Sequence, residues 1–212
     1  MDVLTTAPER RENTDRRGGR DLRGGQVLDD ALSRGEIEIL FQPQFCATDN
    51  LLVGAEALAR WHHPQRGRMG VGPLFEIAER TGRVRDLSRH LVGKALAAAV
   101  EWPVPLRLSL NVTAADVAGG TFADTICEAA ADAGFPLEHL VLEITEQVLV
   151  TDLTRSAEQL GLLADRGVGI ALDDFGAGFC NFHYLKRLPL HFLKLDRSMM
   201  SLIISLAASC ST

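Results

Sequence analysis

At 212 residues, the chain is long enough for one large domain or two small ones. Its 46% hydrophobic content fits a globular protein with a sizeable core, and a net charge of −6 removes any general reason to expect nucleic-acid binding. The four cysteines (Cys46, Cys127, Cys180 and Cys210) form no Cys-x-x-Cys pair, which argues against a zinc ribbon, a thioredoxin-like site and a disulfide framework, and suits a reducing cytoplasm. No apolar run follows Met1, so no secretory signal is expected. The apolar run from Leu202 to Ala208 is too short to span a bilayer.

Residues 1–24 are polar and Arg-rich, with Glu12, Asp15 and Asp21 interspersed, and have almost nothing to bury. They are expected to form a flexible leader ahead of a domain over 25–212. Val27 to Gly35 predicts a short helix stopped by Gly35. Glu36 to Phe45 alternates Ile37, Ile39 and Phe41 with polar partners, as a strand does, and Pro43 places its end at an edge or rim. Asp49-Asn50 predicts a turn into a second strand, Leu51 to Arg60, so the chain opens with a hairpin. Helices are expected from Pro73 to Arg80, with proline in the first turn, and from Arg85 to Trp102, with Leu87, Leu91, Ala95, Leu96 and Ala99 on one side. The strand Leu106–Val112 follows, then the helix Thr121–Gly134, the strand Leu140–Thr145, the helix Leu153–Arg166, and the strand Val168–Asp173. Phe179–Leu188 reads as a helix, Phe192–Asp196 as a strand and Ser198–Ala208 as a last helix.

Strand and helix alternate from residue 51 onward, the signature of an α/β protein. Glu56, Asn111, Glu143, Asp173, Asp174 and Lys194 all fall at or near the C-terminal ends of expected strands. In a barrel of parallel strands those ends open on one face, where active sites sit. Taken singly, each has an ordinary explanation. Asp173-Asp174 can be a solvated turn, Asn111 a strand-end cap, and Lys194 a side chain reaching for solvent. Glu143 fits such a reading least, because a carboxylate inside an apolar strand needs a partner. Two adjacent aspartates at the mouth of a buried strand repel each other unless a positive charge sits between them, and a divalent cation is the usual one.

Together, Glu56-Ala57-Leu58 with Arg60, Asn111-Val112, Glu143-Ile144-Thr145-Glu146, Asp173-Asp174-Phe175-Gly176-Ala177-Gly178 and Lys194-Leu195-Asp196 resemble the EAL domain family of bacterial phosphodiesterases. Those enzymes linearise cyclic di-GMP to pGpG. The resemblance runs from about residue 25 to 200 and implies a TIM-like (β/α)8 barrel whose first strand is antiparallel to the rest. It implies two Mg²⁺ or Mn²⁺ ions. Glu56, Asn111, Glu143 and Asp173 would hold the first ion, with Asp174 on the second, and Lys194 would contact the attacking water. Gln42, Leu58, Arg60 and Asp196 match substrate-binding positions. Glu146 matches the carboxylate that braces the loop after Asp173-Asp174, a loop tied in the family to dimerisation, so a homodimer is an expected partner beside cyclic di-GMP.

The family pattern continues past Asp196 with about two further strand–helix units, which carry a metal-binding glutamate and a substrate-contacting glutamine. The sequence has no counterpart to these, so about six strands of the barrel are expected, with the wall left open. Slow or absent hydrolysis is the corresponding expectation. The alternatives to a phosphodiesterase are a catalytically impaired module that binds cyclic di-GMP or a protein, or a remnant without function.

Overall fold

The computed structural model describes residues 24–118, 120–145, 152–176, 186–196 and 199. The leader, Glu146, most of the expected helix Phe179–Leu188 and nearly all of Ser198–Ala208 lie outside them. The chain divides into two compact units, residues 1–38 with 60–87 and residues 39–59 with 88–212.

In the first unit, helix α1 covers residues 24–33 and ends at Gly35, whose φ of 69° lies in the left-handed region that favours glycine. Strand β1 (Ile37–Phe45) begins here, and β2 (Leu52–His63) ends here against β3 (Gly67–Gly70). Helix α2 (Gly72–Arg80) starts at Val71, which offers no capping side chain, so Pro73 fixes the first turn instead. The buried Trp61 ring donates its Nε1–H to Glu36 Oε2 at 3.0 Å, which satisfies the indole. Arg83 joins Asp29 at 2.6 Å and Asp86 at 3.0 Å, and so ties α1 to the start of α3 (Val84–Ala99).

The second unit carries β4 (Arg107–Val112), α4 (Ala114–Val117), α5 (Phe122–Ala133), β5 (Leu140–Ile144), α6 (Leu153–Ala164), β6 (Gly169–Phe175) and β7 (Phe192–Leu195). Strands β2, β4, β5, β6 and β7 are successively parallel. Along β4 to β6, one side of each strand is a column of large aliphatics: Leu108, Leu110 and Val112, then Leu140, Leu142 and Ile144, then Ile170 and Leu172. These pack on the buried faces of α3, α5 and α6, including Leu96, Ile126, Leu160 and Leu163. Each fully buried leucine contributes roughly 1.5–3 kcal/mol. Helix α5 has no side-chain cap of its own at Thr121, and the buried Gln159 of α6 accepts from Ala123 N–H at 3.1 Å in its place.

The hairpin expected at the start is present. Cys46 N–H bonds to Leu51 O at 2.8 Å at the turn, and His62 N–H to Glu36 O at 2.7 Å at the open end. The sheet order is β1-β2-β4-β5-β6-β7 with β3 on β2, seven strands in one mixed α/β sheet. It is not closed among the described residues. Its last strand, β7, exposes Phe192, Leu193 and Leu195. The strand count exceeds the expected six because β3 has only four residues between two glycines, too few for an alternating pattern to register.

Candidate active site

The site is built on the inner side of the parallel strands, the side that the aliphatic columns leave free. Ser109 and Asn111 alternate with Leu108, Leu110 and Val112 on β4, and Glu143 alternates with Leu142 and Ile144 on β5. The register places the functional residues on successive rungs. Glu56 lies level with Ser109, Val141 and Gly169; Glu143 lies one rung higher, level with Asn111, Ala171 and Phe192. Between Leu172↔Leu193 and Phe175↔Leu195 the register shifts, so Asp173 and Asp174 together oppose the single residue Lys194. A bulge of this kind re-aims side chains and is common beside active sites. Asp174 takes φ 54°, unusual for a residue with a side chain, and its N–H donates to Asp173 Oδ1 at 2.9 Å.

These rungs converge on one ammonium. Lys194 Nζ donates to Glu143 Oε2 at 2.6 Å, Asp173 Oδ2 at 3.0 Å and Glu56 Oε2 at 3.2 Å. Asn111 Nδ2 donates to Glu56 Oε1 at 2.8 Å. The Glu143 side chain is 1% exposed, whereas that of Lys194 is 31% exposed. Burial pushes the Glu143 carboxyl up from its ordinary value, the nearby Glu56 charge pushes the same way, and the bonds from Lys194 and Ser109 only partly oppose them. Burial pulls Lys194 down, but its bonds to Glu143 and Asp173 and the charge of Glu56 outweigh it, and the ammonium is held well above the ordinary lysine value. The carboxylates around it thus favour the charged form of Lys194.

Four of the expected metal-site residues (Glu56, Asn111, Glu143 and Asp173) thus meet around Lys194, each through a side-chain bond. Asp174 follows next in the chain and is exposed. Their donors are carboxylates with one carboxamide, the oxygen chemistry that hard divalent cations take. That chemistry fits. Among the described residues, however, no three His, Cys, Asp or Glu side chains are spaced as a ready cage, because the carboxylates turn to the lysine. A cation would have to draw them away from Nζ. Gln42 is exposed on β1, and Leu58 and Arg60 follow Glu56 at alternate positions on β2, where Arg60 pairs with Gly70. Asp196 N–H bonds to Phe175 O at 3.0 Å, which fixes the chain just beyond Lys194.

Two residues not anticipated from the sequence adjoin this cluster. The buried Ser109 hydroxyl, level with Glu56 in the sheet, accepts from Gln44 Nε2 at 3.4 Å. Strand alternation carried the signal, since Ser109 lies two residues before Asn111 and Gln44 two after Gln42.

The EAL domain profile matches residues 26–208. The chain belongs to the EAL domain family. An EAL relative named as a cyclic di-GMP phosphodiesterase from Pseudomonas aeruginosa is 36% identical over 163 residues, covering 76% of this chain and 28% of that protein. The bifunctional diguanylate cyclase/cyclic di-GMP phosphodiesterase MucR of the same organism is 33% identical over 183 residues, covering 83% of this chain and 27% of MucR. The chain spans 22–28% of the length of the curated relatives it matches first. Among solved EAL structures, the MucR phosphodiesterase in complex with cyclic di-GMP superposes with a TM-score of 0.76 at 31% identity, covering 86% of this chain and 75% of that one. The FimX EAL domain of P. aeruginosa bound to cyclic di-GMP reaches a TM-score of 0.75 at 22% identity, over 88% of this chain and 81% of that one, and at that identity shows the fold alone. Among the described residues no helix is long and apolar enough to cross a membrane.

Proposed function

We propose that the carboxylate–lysine centre binds divalent cations and hydrolyses one phosphodiester of cyclic di-GMP, giving the linear dinucleotide pGpG. The observation that carries this reading is the convergence of Glu56, Glu143 and Asp173, from three separate strands, on Lys194 Nζ. Three anions held at one point are costly to keep without cations. In this reading Glu56, Asn111, Glu143 and Asp173 hold one Mg²⁺ or Mn²⁺ ion and Asp174 a second. Such ions supply charge stabilisation to the phosphoryl oxygens. Lys194, held protonated, donates a hydrogen bond to the attacking water and orients it, leaving proton acceptance to a carboxylate. Gln42, Leu58, Arg60 and Asp196 bind the nucleotide, with the Arg60 guanidinium suited to a phosphate. Glu146 braces the loop after Asp174, and a homodimer belongs to the same reading. So does a cytoplasmic setting, where the free thiols Cys46 and Cys127 stay reduced.

A second reading, binding of cyclic di-GMP without hydrolysis, draws on the ion pairs that already engage these carboxylates with Lys194. Incubation with cyclic di-GMP and Mn²⁺, resolved by ion-exchange chromatography beside equilibrium dialysis, separates the two. The first reading expects pGpG, lost on chelation and reduced about 10²–10³-fold in Asp173→Ala. Bound nucleotide without product selects the second, and neither binding nor product discards both.

A further inference from the structure

Lys194 is delivered to the carboxylates by a short strand. Strand β7 has four residues and pairs only with β6 among the described residues. His191 secures its start: the His191 backbone N–H donates to Ile170 O at 2.8 Å, and its ring Nδ1 accepts from Ile170 N–H at 3.1 Å. The pairing is regular through Leu172↔Leu193 and shifts before Phe175↔Leu195. Lys194 falls on that irregular stretch, where the ladder alone does not dictate its place. Phe192 lies two residues earlier, on the same side of the strand. Two contacts hold its ring. A Cβ on Gly169 would stand 3.0 Å from Phe192 Cε2 and 3.1 Å from Val141 Cγ2, so the ring lies against β6 in space that a glycine leaves open. The half-buried Arg107 of β4 reaches across the inner side of the sheet and places its guanidinium carbon 5.2 Å from the ring centroid. That is within the roughly 6 Å at which a cation is drawn to an aromatic face. Phe192 is 39% exposed and stands outside the aliphatic core, so these contacts hold it, not enclosure.

We infer that Phe192, seated on Gly169 and covered by the Arg107 guanidinium, is a positioning residue that sets where β7 delivers Lys194 among Glu56, Glu143 and Asp173. Two residues of extended strand link ring and lysine, so a shift of the ring is carried to the ammonium. The margin there is small. The bonds from Nζ to Asp173 and Glu56 measure 3.0 and 3.2 Å, and lengthening them by about half an ångström takes them out of hydrogen-bond range. The aromatic seat itself requires no metal ion. Its effect on hydrolysis rests on the phosphodiesterase reading proposed for this centre.

The only lysines of the chain are Lys94, Lys186 and Lys194, so ¹⁵N labelling of lysine gives few Nζ signals by NMR, and Lys194→Met assigns the one at the centre. An ammonium bonded to three carboxylates exchanges its protons slowly, and the rate reports how firmly it is held. The test measures that rate on the whole chain, with melting midpoints beside it. Arg107→Met is expected to speed the exchange about 2–5-fold. Phe192→Leu, which loses the ring and both its contacts, is expected to speed it further. Phe192→Tyr, which keeps the ring, should stay within about twofold of the parent. Lower melting midpoints with parental Lys194 exchange in both Arg107→Met and Phe192→Leu overturn the inference and make the stack ordinary packing. A parent Lys194 that exchanges as fast as an amine in open water overturns it too. With cyclic di-GMP and Mn²⁺, Phe192→Leu should lower kcat and leave KM in place, and Phe192→Tyr should keep both. A parent chain without turnover discards the phosphodiesterase reading, and the exchange rates still decide the role of Phe192.

Discussion

The two ends of the parallel strands in the second unit are made differently. At the C-terminal ends, Glu56, Glu143 and Asp173 surround a single lysine. At the N-terminal ends of β4 and β5, a pocket of about 300 Å³ is lined by Trp102, Pro103, Pro105, Leu106, Phe135 and Pro136 among others, with His139 as its one titratable group. One end concentrates charge and accepts its desolvation cost; the other gathers rings and aliphatic groups. In barrels of this kind, chemistry belongs to the C-terminal face and stability to the opposite one. The residues that line the pocket precede β4 and β5 in the chain, whereas Glu56, Glu143 and Asp173 stand on the strands themselves.

The sharpest way to break that division is at the apolar end. Phe135 is buried at 6% exposure, and Phe135→Ala is expected to cost roughly 3–5 kcal/mol in denaturant unfolding while Mn²⁺ affinity stays at the parental value. An equal loss of metal affinity would mean that the two ends are not independent. At the charged end, Lys194→Met leaves the carboxylates without their cation. The expected loss is roughly 2–3 kcal/mol, less than for a fully buried pair because the ammonium is partly solvated. Added Mn²⁺ should restore more stability to this variant than to the parent, and an equal increment in both would count against metal binding among these carboxylates. The smallest effect concerns His90 on α3, whose Nε2 is buried without a hydrogen-bond partner among the described residues. Burial, with the charge of Lys94, holds its pKa below the ordinary 6.5. As pH falls the unfolded chain takes up a proton before the folded one does, so stability is complete above pH 6.5 and declines as pH drops toward the folded pKa. His90→Gln should flatten that slope by about 1 kcal/mol or less, and an unchanged slope would locate the effect elsewhere.

Much of this was legible in the chain. Leu-Arg-Leu-Ser-Leu-Asn-Val at 106–112 alternates so regularly that both its faces could be read, and Val168 to Asp173 shows a buried strand ending in carboxylates. Helix ends shifted by up to three residues, as where Trp102 was expected inside the helix that ends at Ala99, because Trp102 instead packs edge-on against Phe41 at 5.0 Å. The site residues were also legible, but their arrangement was not. Lys194 lies 138 positions from Glu56 along the chain, and three strands separate β2 from β7 in the sheet, yet the two side chains meet at 3.2 Å. That Lys194 would stand opposite both Asp173 and Asp174 depends on the register shift between Leu172 and Phe175, which no local pattern encodes.

The oblique climb of these residues from rung to rung has a consequence for how β7 is seated. Sliding β7 by two residues along β6 would leave every side chain on its original side, so the alternation of greasy and polar positions would raise no objection. It would nonetheless carry the ammonium about 6.6 Å along the strand axis, beyond the grasp of all three anions. The lysine therefore favours one alignment of this strand over the other that side-chain alternation would allow.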